Sequence, residues 1–176
     1  MRYSYIIPTD IANGVGVGVS LYVQGCSHHC LGCFNPETWD YEGGKEYTEE
    51  TQETLLHYLS KPFINHLSIL GGEPLDPKNV KTIEELIIKT KDSYPHIKIW
   101  LWTGYTWNQL QEIIKTNDQT CSLKSILKTV DYLIDGPFIQ EEKDLTLSWR
   151  GSRNQRIIKS AETIKTMSDS PLLLEE

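Results

Sequence analysis

The sequence contains no apolar run near the roughly 20 residues that a helix needs to cross a bilayer. Its aliphatic stretches are short, such as Leu67-Ser68-Ile69-Leu70 and Leu86-Ile87-Ile88, so no membrane association is expected. The opening residues, Met1-Arg2-Tyr3-Ser4-Tyr5, lack the charged segment, apolar stretch and small-residue cleavage site of a secretory signal. A cytoplasmic location is therefore expected. Positive charge is scarce: 17 Lys and Arg stand against 24 Asp and Glu, a net charge of −7. The one basic cluster, Arg150, Arg153 and Arg156, is smaller than the footprint of a nucleic-acid binder. There is no internal repeat, low-complexity segment or interior linker. No G-K-[ST] follows a glycine loop, and Gly14, Gly16 and Gly18 fail the G-x-G-x-x-G pattern, because Val19 and Leu21 stand where the last glycine would be. They read instead as a segment closing over a site, with Asp10 a candidate to hold it. No Ser-His-Asp or paired-carboxylate arrangement stands out.

Cysteine is also rare, and its distribution is uneven. Three of the four cysteines, Cys26, Cys30 and Cys33, fall within the stretch VQGCSHHCLGCFN, while Cys121 lies alone in a polar stretch. In a reducing compartment this pattern points to metal or redox chemistry rather than a disulfide. A structural zinc takes four ligands, usually from two separated pairs that tie distant segments together. Cys26, Cys30 and Cys33 with His28 or His29 would knit only one loop. An iron–sulfur cluster, ligated by thiolates, fits the C-x3-C-x2-C spacing better. Three cysteines on a four-iron cube leave one iron open to chelate a substrate through amino and carboxylate groups. A zinc-stabilised protein-binding module without catalysis is the alternative reading. His28 and His29 read as polar residues on a solvent-facing loop, or one of them as a hydrogen-bond partner of a cluster sulfur or of the reaction partner.

At 176 residues the chain reads as one domain, 1–176, long enough to bury a core without staples, with a loose tail from about Ser168. Strand signals fall at Val19–Val23, His66–Leu70, Ile97–Trp102, Tyr132–Ile134 and Gln155–Lys159. Helix signals alternate with them. Thr48 caps a helix over residues 49–60, and Asp76-Pro77 opens one striped by Val80, Ile83, Leu86 and Ile87. Thr106 to Gln109 fits a capping box before Leu110, Ile113 and Ile114. This alternation predicts an α/β fold with a mostly parallel sheet. Ligands bind such sheets beyond the strands' carboxyl ends. The cysteine loop, Gly71-Gly72-Glu73-Pro74, Thr103-Gly104 and Asp135-Gly136 would share that edge. Trp100, Trp102 and Trp107 read as core aromatics.

C-x3-C-x2-C followed by a strand ending in GGEP resembles the radical S-adenosylmethionine enzymes. The blocks DIANGVGVGVSLYVQGCSHHCLGCFNPETW, LGGEPLDPKNV, WLWTGYTW, DYLIDGPF and WRGSRNQR, in that order, resemble the activating enzymes of anaerobic ribonucleoside-triphosphate reductases. The resemblance implies an incomplete, open parallel βα barrel of the radical S-adenosylmethionine type. It implies a 4Fe-4S cluster on Cys26, Cys30 and Cys33 that accepts an electron from a flavodoxin- or ferredoxin-like donor. That electron cleaves S-adenosylmethionine to a 5′-deoxyadenosyl radical, which installs a glycyl radical on the large subunit of the reductase. It further implies that Gly32, Phe34 and Asn35 meet the adenine side of the cofactor. Gly71, Gly72, Glu73 and Pro74 would receive its methionine end, and Thr103 would line the cavity. The wider superfamily often has an aromatic residue just before the third cysteine. This chain has Gly32 there, which leaves Phe34 as the stacking candidate. Asp135 reads either as a turn residue or as a contact for the cofactor or the partner, and the Arg150, Arg153 and Arg156 group either as a solvated basic patch or as a site for a carboxylate or the partner.

Overall fold

A computed structural model describes residues 1–116, 121–166 and 170–174. In chain order it contains β1 (Arg2–Asp10), β2 (Gly18–Val23), β3 (Lys45–Glu46), α1 (Glu49–Leu59), β4 (His66–Gly71), α2 (Val80–Ser93) and β5 (Lys98–Trp102). There follow α3 (Trp107–Thr116), α4 (Cys121–Thr129), β6 (Tyr132–Asp135), β7 (Arg156–Lys159) and α5 (Ser160–Lys165). The strands form one seven-stranded sheet in the order β3-β1-β2-β4-β5-β6-β7.

The fold is α/β, as expected, but its sheet is mixed and open. β2, β4, β5 and β6 run parallel. β1 pairs antiparallel with both β2 and β3, and β7 runs antiparallel to β6. The physical reasons are local. The connection between β6 and β7, residues 136–155, carries no crossover α-helix. β7 therefore begins where β6 ends, with Arg156 opposite Asp135, and can only run back. β1 carried no strand signal because Pro8 interrupts it. The ladder accommodates Pro8 at an irregularity between Ile7 and Asp10, where the missing N–H is tolerated.

Two helix starts illustrate how capping sets boundaries. Thr48 and Thr51 form a reciprocal capping box at α1, and Thr106 and Gln109 do the same before α3. α2, in contrast, begins at Val80 rather than at Asp76-Pro77. Residues 76–79 make a separate turn, with the Asn79 amide donating to the Asp76 carbonyl at 2.8 Å. The Asn79 side chain donates instead to the carbonyls of Gln24 and Glu73, each at 3.0 Å. The expected proline start gives way to a turn that anchors the loop after β4.

Side-chain alternation divides the sheet. Val19, Leu21, Val23, Leu67, Ile69, Ile99, Leu101, Leu133 and Ile158 belong to the main core with residues of α1–α4. Trp107 joins that core. Trp100 belongs to a second cluster with Ile134 and Ile157, flanked by Trp102, Tyr132 and Trp149. The three tryptophans grouped by sequence are thus divided between two cores.

The glycine segment after β1 lies over this second face. Asp10 is buried and accepts hydrogen bonds from the Ala12 amide at 2.8 Å, the Asn13 amide group at 2.7 Å and the Ser20 hydroxyl. Burial acts to raise its pKa, but these donors prevail and hold it below the usual value. Asp10 does hold the segment. The tail is tied down where it is described: the Lys159 amide donates to the Leu172 carbonyl and the Leu174 amide to the Ile157 carbonyl. Ser168, from which it was expected to be loose, lies outside the described residues.

Candidate functional site

The cysteine loop leaves β2 through a clamped base. The Gly25 amide donates to the Thr38 carbonyl at 2.8 Å and the Cys26 amide to the Trp39 carbonyl at 3.1 Å. Gly25 has φ of +92°, and a Cβ there would run into the Tyr41 ring, so glycine is required on both counts. Within the loop the Cys33 amide donates to the Cys30 carbonyl at 3.1 Å. The Asn35 amide approaches Cys33 Sγ at 3.4 Å. Cys26 is buried, Cys30 and Cys33 are half-buried, and all three are free thiols. Burial pushes the Cys26 thiol up to about 11 and also raises Cys30. Ligating a metal would release those protons.

The strand ends converge as expected. One cavity of about 390 Å³ is lined by Cys26, Cys30, Cys33, Phe34, Asn35, Gly71, Gly72, Glu73 and Thr103. Gly32 and Pro74 do not line it. Gly32 has φ of +73° and faces Gln140 and Phe138, so it serves the close approach of the 136–155 loop. Phe34 is half exposed and packs against Phe138, with centroids 5.0 Å apart. Gly72 lies so close to the backbone at Gly25 and Thr38 that a Cβ would sit 2.6 Å from the Gly25 carbonyl oxygen. The close fit of the GGEP segment to the cysteine loop therefore depends on a missing side chain.

Glu73 is 1% exposed, and both its oxygens are engaged. Oε1 accepts from the Leu75 amide at 2.9 Å and the Thr103 hydroxyl at 2.8 Å. Oε2 accepts from the Gly104 amide at 2.8 Å and lies 3.0 Å from His28 Nε2. The contact with Glu73 holds the His28 pKa above its ordinary value. His28 was read as solvent-facing; it is half-buried and lines the cavity. His29 lies against Trp39, with centroids 4.8 Å apart.

Asp135 and the three arginines, whose roles the sequence leaves open, have distinct surroundings. Asp135 is buried, but it accepts from the Trp107 amide at 2.8 Å and pairs with Arg156. Its carboxylate anchors α3 and β7, and only its neighbour Gly136 lines the cavity. The three arginines form no common patch. Arg156 holds Asp135, Arg153 pairs with Asp144 at 3.1 Å, and only Arg150 lines the cavity. Sequence reading also missed Ala12, Asn13 and Tyr22 as lining residues. The signal for the first two was Asp10, whose turn carries them over the face. Trp149, which adopts φ of +56°, receives the Trp102 indole N–H on its carbonyl at 2.9 Å.

The donor set bears on what the cavity can hold. Among the described residues no three His, Cys, Asp or Glu side chains are gathered closely enough to hold one metal ion. A single zinc needs all its ligand atoms within about 2.0–2.3 Å of one point. A cluster instead takes one thiolate at each of several irons, which three sulfurs spread around one cavity can supply.

Comparison with known proteins decides the family. A family model described as "4Fe-4S single cluster domain" matches residues 12–158. The anaerobic ribonucleoside-triphosphate reductase-activating protein of Vibrio cholerae is 39% identical over 159 residues, covering 89% of this chain and 97% of its own. The protein of the same name from Enterobacteria phage T4 is 38% identical over 166 residues, 93% of this chain and 97% of its own. That of Escherichia coli K12 is 35% identical over 157 residues, 88% and 96% respectively. The chain belongs to the family of anaerobic ribonucleoside-triphosphate reductase-activating proteins. The matched 4Fe-4S region of this activating-protein family includes the cysteine loop, the GGEP segment and β7 as far as Ile158. Among the described residues, no helix is long and apolar enough to cross a membrane.

Proposed function

We propose that the chain is a cytoplasmic radical S-adenosylmethionine enzyme that installs a glycyl radical on the large subunit of an anaerobic ribonucleoside-triphosphate reductase. In this reading residues 1–176 form one domain, and the open mixed sheet is an incomplete βα barrel of the radical S-adenosylmethionine type. A flavodoxin- or ferredoxin-like protein supplies the electron. Cys26, Cys30 and Cys33 hold the 4Fe-4S cluster. When bound, the cluster and S-adenosylmethionine together supply a carbon-centred radical, chemistry that belongs to the cofactors rather than to side chains.

The chain's own residues have four tasks. The thiols must lose their protons to ligate, against the burial that keeps Cys26 and Cys30 protonated without metal. The backbone carbonyls of Gly71 and Gly72 offer acceptors for the cofactor's ammonium, because the Glu73 oxygens are already engaged. Phe34 and Asn35 border the adenine side, and Arg150 offers charge to a carboxylate. Tyr22, Trp102 and Trp149 wall the cavity and exclude water that would quench a radical.

The observation that carries this reading is the meeting of three free cysteines with Gly71, Gly72 and Glu73 on one cavity of about 390 Å³, within the usual range for a small-molecule site. The test is anaerobic reconstitution. A brown protein with about four irons per chain is expected. With S-adenosylmethionine, a reductant and the reductase, it should give a glycyl radical by electron paramagnetic resonance. A colourless protein binding one zinc, and no radical on the reductase, would overturn the proposal.

A further inference from the structure

His28 lies between two cysteines of the loop, yet its ring leaves that loop. Its Nε2 lies 3.0 Å from Glu73 Oε2, at the end of β4. Its ring meets Tyr105 edge-on, with centroids 4.7 Å apart, and covers Gly104, at the end of β5, where a Cβ would collide with the imidazole. Three segments distant in sequence therefore meet at one side chain.

Glu73 explains why that meeting matters. A carboxylate that is 1% exposed must be satisfied by fixed donors. Three of its contacts come from the strand ends themselves: the Leu75 amide, the Thr103 hydroxyl and the Gly104 amide. His28 is the contact that comes from the cysteine loop. Without it, Oε2 keeps the Gly104 amide and loses the contact that reaches it from between the cysteines.

We propose that His28 is a positioning residue: through Glu73 it fixes the cysteine loop relative to Gly71 and Gly72, so that a cofactor spanning the two meets a preformed site. This inference rests on the cofactor reading above. The role is not ligation of iron, because Nε2 lies 3.0 Å from the Glu73 carboxylate. Nor is it shared by His29, which lies against Trp39 on the other side of the loop.

The test uses the full-length, anaerobically reconstituted protein in four forms: wild type, His28→Ala, His28→Gln and His29→Ala. Iron and sulfide content are measured first. The electron paramagnetic resonance signal of the reduced cluster is then titrated with S-adenosylmethionine. Iron content should be unchanged in all four. His28→Ala should need about 10–100-fold more cofactor to shift the signal, the range found when a partner outside the direct ligand set is removed. His28→Gln, whose side-chain N–H can reach Glu73, should recover to within about threefold of wild type, and His29→Ala should match wild type. In a Glu73→Gln background, adding His28→Ala should bring little further loss, since the two act as one unit. A wild-type signal that ignores the cofactor would remove the cofactor reading and this inference with it. A responsive wild type matched by His28→Ala would overturn the positioning role alone. So would loss of iron from His28→Ala, or a His28→Gln variant as weak as His28→Ala.

Discussion

The two faces of the sheet are built from different chemistry by the same strands. On the helix-covered face, residues 19, 21 and 23 of β2, 67 and 69 of β4, and 99 and 101 of β5 are all aliphatic and buried. Between them, the other face presents Ser20, Tyr22, His66, Ser68, Trp100 and Trp102. Hydroxyls there hold the glycine segment: Ser20 donates to Asp10 and Ser68 to the Asn13 carbonyl. The first face has a helix layer to fill it to close-packed density. The second is covered by loops, and loops can leave space: Tyr22 and Trp102 line the cavity. The division teaches that the packed core and the cavity are assigned to opposite sides of one sheet, with the cysteine loop at the edge they share.

That division is broken most directly at the edge. Cys30→Ser should reduce bound iron from about four per chain to less than one and abolish detectable radical formation. Cys30 is half-buried outside both hydrophobic clusters. The metal-free variant should therefore unfold within about 0.5 kcal/mol of the metal-free parent. Iron analysis and urea denaturation check the two halves of this statement. A variant that loses its iron and several kcal/mol together would mean that the loop is part of the core.

The opposite experiment is Leu101→Ala. Leu101 is completely buried in the helix-face core, and truncating such a leucine costs about 2–5 kcal/mol through lost transfer energy and the cavity left behind. Its sequence neighbour Trp102 points the other way, half-exposed on the cavity wall. Urea midpoints should fall sharply for Leu101→Ala, while the folded fraction still reconstitutes about four irons. Trp102→Phe should lose less stability and perturb cofactor binding instead. Equal stability losses would erase the distinction between faces.

The same distinction explains what was legible in the sequence. Period-two alternation with aliphatic residues marks β2, β4 and β5, and helical spacing marks α2 and α3, because burial against helices imposes a regular pattern. Glycine at strand ends marks the site edge, because close backbone approach excludes side chains. β1 was missed because a proline sits at a ladder irregularity. The direction of β7 depends on a connection without a helix, which no local pattern reports. In the site, the clustering of three cysteines is readable from spacing alone, and the fold brings all three to one cavity. The His28 contact is not readable in this way, because its partner Glu73 is 45 positions away and only the fold brings them together. The role of Asp135 stays open in the sequence for a related reason: a strand-end aspartate can serve a turn or a ligand, and only the fold shows that it holds Arg156 and the start of α3.

The smallest effect expected is also the one that tests whether the polar face contributes to stability at all. His66 is fully buried beneath the glycine segment, and its Nδ1 lies 3.2 Å from the Val15 carbonyl. With the proton on Nδ1, the ring donates to that carbonyl and Nε2 is left without a hydrogen-bond partner. Burial lowers the His66 pKa, outweighing the Val15 carbonyl and the Asp10 charge, which both favour the cation. The sign follows from linkage. Above the unfolded value of about 6.5 the ring is neutral in both states and its contribution is complete. As the pH falls below 6.5 the unfolded chain takes up the proton first, so stability declines until the folded pKa has been passed. The decline from this group cannot exceed about 1.4 kcal/mol per pH unit. Urea unfolding of wild type and His66→Gln at pH 8 and pH 5.5 isolates the group, because the other titrations cancel in the difference. The gap between the two proteins should shift in favour of His66→Gln on acidification. A gap independent of pH would show that the glycine segment opens freely enough for water to reach His66, and the polar face would then be a cover for the cavity with no share in holding the fold.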